Sequence, residues 1–241
     1  MVDQSRALLV IADIGGYTNY MRLHRLSLAH AQANTARLLE AAIGAAPQLE
    51  LVEIEGDAAF MSAPPPEDEA ACARIATEAA VAMHRAFHIE QQQIVAQNLC
   101  ICGGCAQAGA LKLKCVAHVG EVAVQTVGGR KSLVGFDVIL VHRLLKNAVP
   151  IPEYVLLSED LYRGVEPPIR DRARTVVEEL EGVGDTRAYF IGLDEMAEPI
   201  ATPAPPTLPD RIGTTLGVLG RGMPYLLRLK RGSAQAAAAV D

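Results

Sequence analysis

The sequence contains no tryptophan, and aromatic residues make up only 4% of its 241 positions. Proteins that bind single-stranded nucleic acid stack bases on aromatic side chains, so this composition argues against such a surface. The body of the chain also lacks a basic stripe that could follow a phosphate backbone, and the formal net charge is −6. We therefore expect no nucleic-acid partner.

Long apolar runs are absent as well. None approaches the roughly 20 residues that span a bilayer, and the first residues lack the apolar core and cleavage site of a secretory signal. We therefore expect a cytoplasmic protein whose five cysteines are reduced or metal-bound rather than paired in disulfides. With 50% hydrophobic and 21% charged residues, the chain can bury a sizeable core.

An apolar run that ends in a carboxylate and two glycines is the most informative stretch of the sequence. Residues 7–12 indicate a buried strand, Asp13 falls where this strand leaves the sheet, and Gly15 and Gly16 follow. Such a carboxylate suits Mg²⁺ carried by a nucleotide, because glycines let phosphates approach the backbone. Taken alone, the pattern favours the alternative that Asp13 caps the next turn.

A second acidic turn lies at Gly56-Asp57, between the apolar runs 49–54 and 58–61. This pattern predicts a hairpin with a carboxylate at its tip. If the first strand pairs beside the hairpin, Asp13 and Asp57 converge on one or two ions of Mg²⁺ or Mn²⁺. That arrangement is used for in-line displacement at phosphorus.

Two helices and a further strand complete the predicted core. Helical spacing predicts one helix over 28–46 and a second from Glu67 to about Gln97, and the apolar run 111–119 predicts a strand. The resulting order β-α-β-β-α-β is ferredoxin-like. We therefore expect an α+β sandwich with helices packed on a mainly antiparallel sheet.

Three cysteines fall within six residues, at Cys100, Cys102 and Cys105, and Cys115 follows in the next strand. With two adjacent glycines that permit a tight turn, this spacing favours a thiolate site for Zn²⁺. A redox cysteine set and a set of inert buried thiols are the alternatives.

Two histidines on the second helix, His84 and His88, are four residues apart and could supply a zinc ligand instead. Polar neighbours surround them, however, and favour a solvated helix face.

The remainder of the chain is predicted to close the sheet and then to become irregular. We expect a turn at 127–131, a third helix over 132–147, a strand at 155–157, a short helix at 159–163 and two closing strands near 175–180 and 187–191. The predicted domain spans 1–195, with a cysteine-rich insertion at 98–115.

Residues 196–241 form a proline-rich linker and a basic tail. We expect the linker to be extended and mobile. Five glycines weaken any helix in the tail and favour a weakly ordered segment. A peripheral membrane contact is the alternative for the tail.

These motifs, taken in order, resemble those of the catalytic domain of class III adenylate and guanylate cyclases. The stretch from Asp13 to Thr18 is similar to the first metal-binding motif of that family, and Gly56-Asp57 to the second. Gly135, Val138 and Arg143 resemble the family motif Gly-x-x-Val-Asn-x-x-x-Arg. The run 138–147 also resembles an uncharacterised bacterial branch of cyclase-like proteins that shares the cysteine cluster, a domain of unknown function.

The resemblance implies a fold, a ligand and a set of roles. It implies the cyclase elaboration of the ferredoxin-like core, a purine nucleotide or other phosphate ligand, and a head-to-tail homodimer. Asp13 and Asp57 would be the metal ligands, and Arg143 would stabilise charge at the α-phosphate. The base would be read at Glu53 and Ser132, a pair nearer the guanine-reading pattern; the alternative for Glu53 is a charge at the hairpin edge.

The sequence also departs from the cyclase pattern. Ile139 replaces the asparagine that orients the ribose, and Glu181 and Val183 replace lysines that contact the triphosphate. Loss of positioning typically costs ~100-fold or more in rate. We therefore favour a ligand-binding or regulatory module with a role in signalling, or a divergent metal-dependent enzyme that acts on a phosphate-bearing ligand. The alternatives are an active cyclase in which other residues replace the missing groups, and a scaffold stabilised by zinc whose nucleotide site is vestigial.

Overall fold

The computed structural model describes residues 4–23, 28–97, 107–197 and 200. The strands are β1 (Gln4–Gly15), β2 (Glu50–Glu55), β3 (Ala58–Ala63), β4 (Lys112–Val127), β5 (Arg130–Val134), β6 (Tyr154–Ser158), β7 (Arg174–Leu180) and β8 (Gly184–Gly192). The helices are α1 (Tyr17–Leu23), α2 (Leu28–Gly44), α3 (Glu69–Gln97), α4 (Phe136–Leu144), α5 (Glu159–Tyr162) and α6 (Leu193–Met196).

One sheet contains all of these strands. Its order is β2-β3-β1-β4-β6-β8-β7, with β5 paired to β4 beyond the main path. Neighbouring strands are antiparallel except β4 and β6, which are parallel. The predicted α+β fold, with its βαββαβ core and mainly antiparallel sheet, is therefore confirmed.

Helices cover both faces of the sheet, which explains why β1 is apolar almost throughout. Alternate side chains of a strand point to opposite faces. Leu8 and Val10 belong to the hydrophobic cluster that includes α2 and α3, whereas Leu9 and Ile11 belong to the cluster formed with α4. Asp13 continues the second series, so the strand directs it to the α4 face.

The first turn of α4 is fixed against β4. Asp137 Oδ2 accepts a hydrogen bond from the Glu121 backbone N–H at 2.5 Å, and Asp137 Oδ1 lies 3.1 Å from His118 Nε2. A Cβ at position 120 would lie 2.2 Å from Asp137 Cγ, so this approach requires Gly120. The contact sets where α4 lies on the sheet, and with it the positions of Ile139 and Arg143.

The predicted start of the third helix is wrong. Residues 130–134 form β5 rather than the start of a helix, and Ser132 pairs with Gln125 across the hairpin. Gly128 and Gly129 both have positive φ, the conformation that a tight two-residue hairpin turn requires. The Gly-Gly pair therefore ends β4 in a hairpin, and α4 begins only at Phe136.

Several predictions fall outside the described residues. These include Cys100, Cys102 and Cys105, most of the linker and the basic tail, so the zinc cluster and the domain boundary at 195 stay predictions. Within the described part of the chain, no helix has the length and apolar character required to cross a membrane.

Candidate functional site

Asp13 and Asp57 lie at the same end of adjacent strands. Asp13 pairs with Ala58 in β3 and with Lys114 in β4. Asp57 directly precedes Ala58 at the hairpin tip, and its carbonyl oxygen accepts a hydrogen bond from the Ile14 N–H at 3.2 Å. The sheet register thus brings together two carboxylates that are 44 positions apart in sequence (57 − 13).

The two carboxylates influence each other electrostatically. Burial raises the pKa of Asp57 above its usual range, the negative charge of Asp13 raises it further, and Lys114 opposes the shift. Burial and the charge of Asp57 also raise the pKa of the Tyr17 phenol. A divalent cation at this edge would relieve the repulsion between the two acids.

Lys114 already supplies a positive charge to this site. Its Nζ lies 3.2 Å from Asp13 Oδ2 and donates a hydrogen bond to the Leu145 carbonyl, also at 3.2 Å. The Asp13 side chain is only 15% exposed, so solvent screens the pair incompletely. The oxygen donors of Asp13 and Asp57 fit Mg²⁺ or Mn²⁺, with Lys114 as a competitor for Asp13.

We expect Asp57→Asn to stabilise the metal-free protein at pH 7, by less than about 1 kcal/mol after allowance for solvent screening. Folding raises the pKa of Asp57, so the native state binds its proton more tightly than the unfolded chain does. Stability therefore falls as the pH rises from the ordinary aspartate pKa, about 3.9, through the raised one. Asparagine removes this cost, and the gain should vanish at acid pH.

Urea unfolding of Asp57→Asn and the wild type at pH 7 and at acid pH, with a chelator present, measures this effect. Asp171→Asn is the matched control, because Asp171 is an exposed aspartate on another part of the surface. A gain of the same size at both pH values would contradict the electrostatic explanation.

Arg143 forms an ion pair with Glu181. Its Nη1 donates to Glu181 Oε2 at 2.6 Å, and this contact holds the pKa of the Glu181 carboxyl below its usual range. Glu181 is 87% exposed in the turn between β7 and β8, so the pair lies at the surface. Ile139, one turn before Arg143 on α4, is 52% exposed.

The two predicted base-reading residues lie on separate strands. Glu53 is exposed on β2, opposite Phe60 and next to an irregularity in the register. Ser132 lies in β5, and β2 and β5 contact each other. The structure thus brings Asp13 and Asp57 together and places Arg143, Glu53 and Ser132 on neighbouring elements; their roles stay predictions.

Sequence reasoning missed three polar residues at this edge. Besides Lys114, these are His142 and Glu55, whose Nε2 and Oε1 atoms are 2.9 Å apart. The His142 ring also packs edge-on against Phe60, with 4.9 Å between centroids. The alternation of Lys112 and Lys114 with buried residues could have identified a charged strand end, but not the contact between Lys114 and Asp13.

The remaining predicted ligands are more buried than expected. Cys115 is fully buried in the core, where burial and then the charge of Asp13 raise the pKa of its thiol to about 12. The prediction that His84 and His88 form a solvated face is wrong, since His84 is 5% exposed and His88 bonds to Glu153. Burial opposes ionisation of Glu153, yet contacts with His84, His88 and Lys112 outweigh it and lower its pKa.

The chain is similar to known proteins in sequence. A family model described as protein of unknown function (DUF2652) matches residues 35–154. The uncharacterized protein Rv2561/Rv2562 of Mycobacterium tuberculosis is 34% identical over 206 residues, which cover 83% of this chain and 92% of the mycobacterial protein.

Solved structures show similarity in fold. The adenylyl cyclase CyaB from P. aeruginosa matches with a TM-score of 0.61 at 17% identity, over 79% of this chain and 95% of CyaB. The guanylate cyclase domain of RhGC from Catenaria anguillulae, in complex with GTP, matches with a TM-score of 0.58 at 18% identity, over 78% of this chain and 97% of the RhGC domain. A class III adenylyl cyclase-like ATP-binding protein from Pseudomonas aeruginosa matches with a TM-score of 0.58 at 17% identity, over 71% of this chain and 37% of the ATP-binding protein.

These comparisons confirm the resemblance found in the motifs. The mycobacterial relative establishes the family, and the solved structures establish the fold. The chain therefore belongs to the family of the mycobacterial protein Rv2561/Rv2562 and has the fold of class III nucleotide cyclase catalytic domains.

Proposed function

We propose that this chain is a ligand-binding or regulatory module that binds a divalent cation and a purine nucleotide or related phosphate compound. Asp13 and Asp57 would hold Mg²⁺ or Mn²⁺ at the sheet edge, and the ion would neutralise phosphate charge there. Glu53 and Ser132 would contact the base. The module lacks several groups that a cyclase needs, so turnover is lost or very slow.

The contact between Arg143 and Glu181 is the observation that carries this proposal. A phosphate group that reaches Arg143 competes with the Glu181 carboxylate, which bonds to Nη1 at 2.6 Å. Surface ion pairs are weak, so displacement itself is easy. The freed carboxylate nevertheless stays near the ligand and repels its negative charge, where a lysine would attract it.

The isoleucine at position 139 removes a second contribution to catalysis. Its side chain has no hydrogen-bond donor, so it cannot orient a ribose as the asparagine of the family motif would. Precise positioning of the attacking group supplies a large part of rate enhancement in such reactions. Binding therefore survives this replacement more readily than catalysis does.

Two of the similar structures support the ligand class. One is described in complex with GTP, and another is described as an adenylyl cyclase-like ATP-binding protein. Their fold accommodates purine nucleotides, and we extend that property to this chain as part of the proposal.

We also propose a homodimer. Four apolar side chains on the β4–β5 hairpin and on α4 are about half exposed or more: Val124, Val127, Phe136 and Ile139. These elements follow one another along the chain. Exposed apolar patches mark contact surfaces, and a second copy of the chain would cover these side chains.

Equilibrium binding and product analysis with Mn²⁺ and either ATP or GTP test the proposed function. We expect metal-dependent nucleotide binding that weakens in Arg143→Gln, with cyclic nucleotide at background level. Arg163→Gln is the matched control, because Arg163 makes an ordinary surface pair with Asp160. Steady cyclic nucleotide formation that Asp13→Ala abolishes would establish an active cyclase instead. Absence of any nucleotide binding would favour a scaffold with a vestigial site.

A further inference from the structure

A second group of metal-ligating side chains joins α3 to the segment before β6. Glu153 Oε1 lies 2.5 Å from His88 Nε2 and 3.4 Å from His84 Nε2. One ligand atom from each of the three residues can be chosen so that all lie within 4.8 Å of one another. None of the three belongs to the Asp13 and Asp57 site.

The hydrogen bonds of Gln91 determine which nitrogen of His88 carries a proton. The Gln91 side-chain NH₂ donates to the carbonyl oxygens of Ala108 and Leu111, at 2.9 and 2.7 Å. Its Oε1 must therefore be the atom that faces His88 Nδ1 at 2.8 Å. An amide oxygen only accepts hydrogen bonds, so Nδ1 is protonated and a neutral His88 presents its Nε2 lone pair to Glu153.

Two acceptors at 2.5 Å require a positive species between them. A proton on His88 Nε2 would satisfy this pair but would leave His84 unexplained. His84 is 5% exposed, its Nδ1 has no hydrogen-bond partner among the described residues, and its Nε2 makes only the long 3.4 Å contact with Glu153 Oε1. Buried polar groups without partners are rare in folded proteins because they are costly. A metal ion would use lone pairs of all three residues at once.

The surroundings of the cluster also suit a metal. Lys112 Nζ lies 3.0 Å from Glu153 Oε2, and the Leu113 N–H donates to Oε1 at 3.2 Å. Gln91 supports the other side through His88 Nδ1. Metal-binding histidines and carboxylates are typically oriented by such outer hydrogen bonds.

We propose that His84, His88 and Glu153 bind one Zn²⁺, with the fourth position open to water. Two imidazoles and one carboxylate match the ligand preference of Zn²⁺ and not that of Mg²⁺. Bonds of about 2 Å place tetrahedral ligands roughly 3.3 Å apart. The ion therefore fits once the contact between His88 and Glu153 opens by less than about 1 Å.

Zinc uptake by the full chain tests this assignment. Protein dialysed against a chelator is titrated with Zn²⁺ in excess Mg²⁺, which occupies carboxylate sites without competing for imidazoles. We expect one tightly bound Zn²⁺ in a Cys100→Ser, Cys102→Ser, Cys105→Ser triple variant, which removes the predicted thiolate site. Affinity should fall about 100-fold or more in Glu153→Gln and in His84→Ala, since loss of an outer partner alone typically costs 10–100-fold.

Cobalt substitution gives a second measurement. Co²⁺ in the triple variant should give tetrahedral visible bands without thiolate charge transfer, and these bands should disappear in Glu153→Gln. Thermal unfolding of the metal-free variants separates lost metal binding from lost folding. If His84→Ala does not fold, the zinc affinity of Glu153→Gln, which preserves the shape of the side chain, decides the test. Unchanged zinc binding in Glu153→Gln, binding lost only with the cysteines, or no uptake at all would each overturn the proposal.

Discussion

Asp13→Asn should lower the affinity for Mn²⁺ by about 100-fold or more, since loss of an outer hydrogen-bond partner alone typically costs 10–100-fold. Asp13 is the more buried end of the pair with Lys114 and lies opposite Ala58 in the register, next to Asp57. Asparagine keeps the shape of the side chain but removes the charge that the ion requires. Electron paramagnetic resonance of free Mn²⁺ during titration measures the change.

Lys114→Met should have the opposite effect and raise Mn²⁺ affinity by about tenfold, because it removes the ammonium 3.2 Å from Asp13 Oδ2. Charges about 4 Å apart interact by roughly 1 kcal/mol in water and more near a protein surface, and 1.4 kcal/mol corresponds to tenfold. Arg163→Met, which removes a positive charge from an exposed surface pair with Asp160, should leave Mn²⁺ binding unaltered. An affinity that falls in Lys114→Met would show that the lysine supports the site rather than competing for it.

Gly164→Ala should destabilise the fold by about 3 kcal/mol, near the upper end of what overpacking usually costs. A Cβ at this position would lie 2.1 Å from the backbone oxygen of Glu69 and 2.4 Å from its carbonyl carbon. These atoms belong to the first residue of α3 and cannot rotate away as a side chain could. The segment after α5 and the start of α3 must therefore separate.

Gly44→Ala provides the control for Gly164→Ala. Gly44 is the last residue of α2, and a Cβ there would meet no atom within 4 Å. Alanine favours the helix, so this change should be neutral or slightly stabilising. Urea unfolding of both variants measures the difference, and equal stability would contradict the steric explanation.

The parts of the site that were predictable from sequence are those that a short stretch determines. A strand end followed by glycines identified Asp13, and a hairpin turn identified Asp57, because both signals span only a few residues. The partners of these residues were not predictable. Lys114 reaches Asp13 through the antiparallel register of β1 and β4, and Glu181 reaches Arg143 on α4 from the turn between β7 and β8. Neither contact has a local signature in the sequence.

The errors have a similar physical origin. The helical pattern over 132–147 was extended too far because the Gly128-Gly129 turn and its strand pairing override local helix preference at Ser132. His84 was placed on a solvated face because polar neighbours suggested exposure. In the fold, polar residues of α3 such as Gln91 are buried and bonded, so polarity alone did not mark the surface.

Lys114 has a consequence beyond its effect on cation affinity. A single ammonium group contacts both Asp13 and the carbonyl oxygen of Leu145 at the end of α4, while Asp137 fixes the opposite end of that helix to β4. An ion that takes Asp13 from Lys114 changes the restraint on one end of the helix and leaves the other end pinned. Occupation of Asp13 would therefore act on the carbonyl end of α4, whereas Phe136 lies at the end that Asp137 fixes to β4.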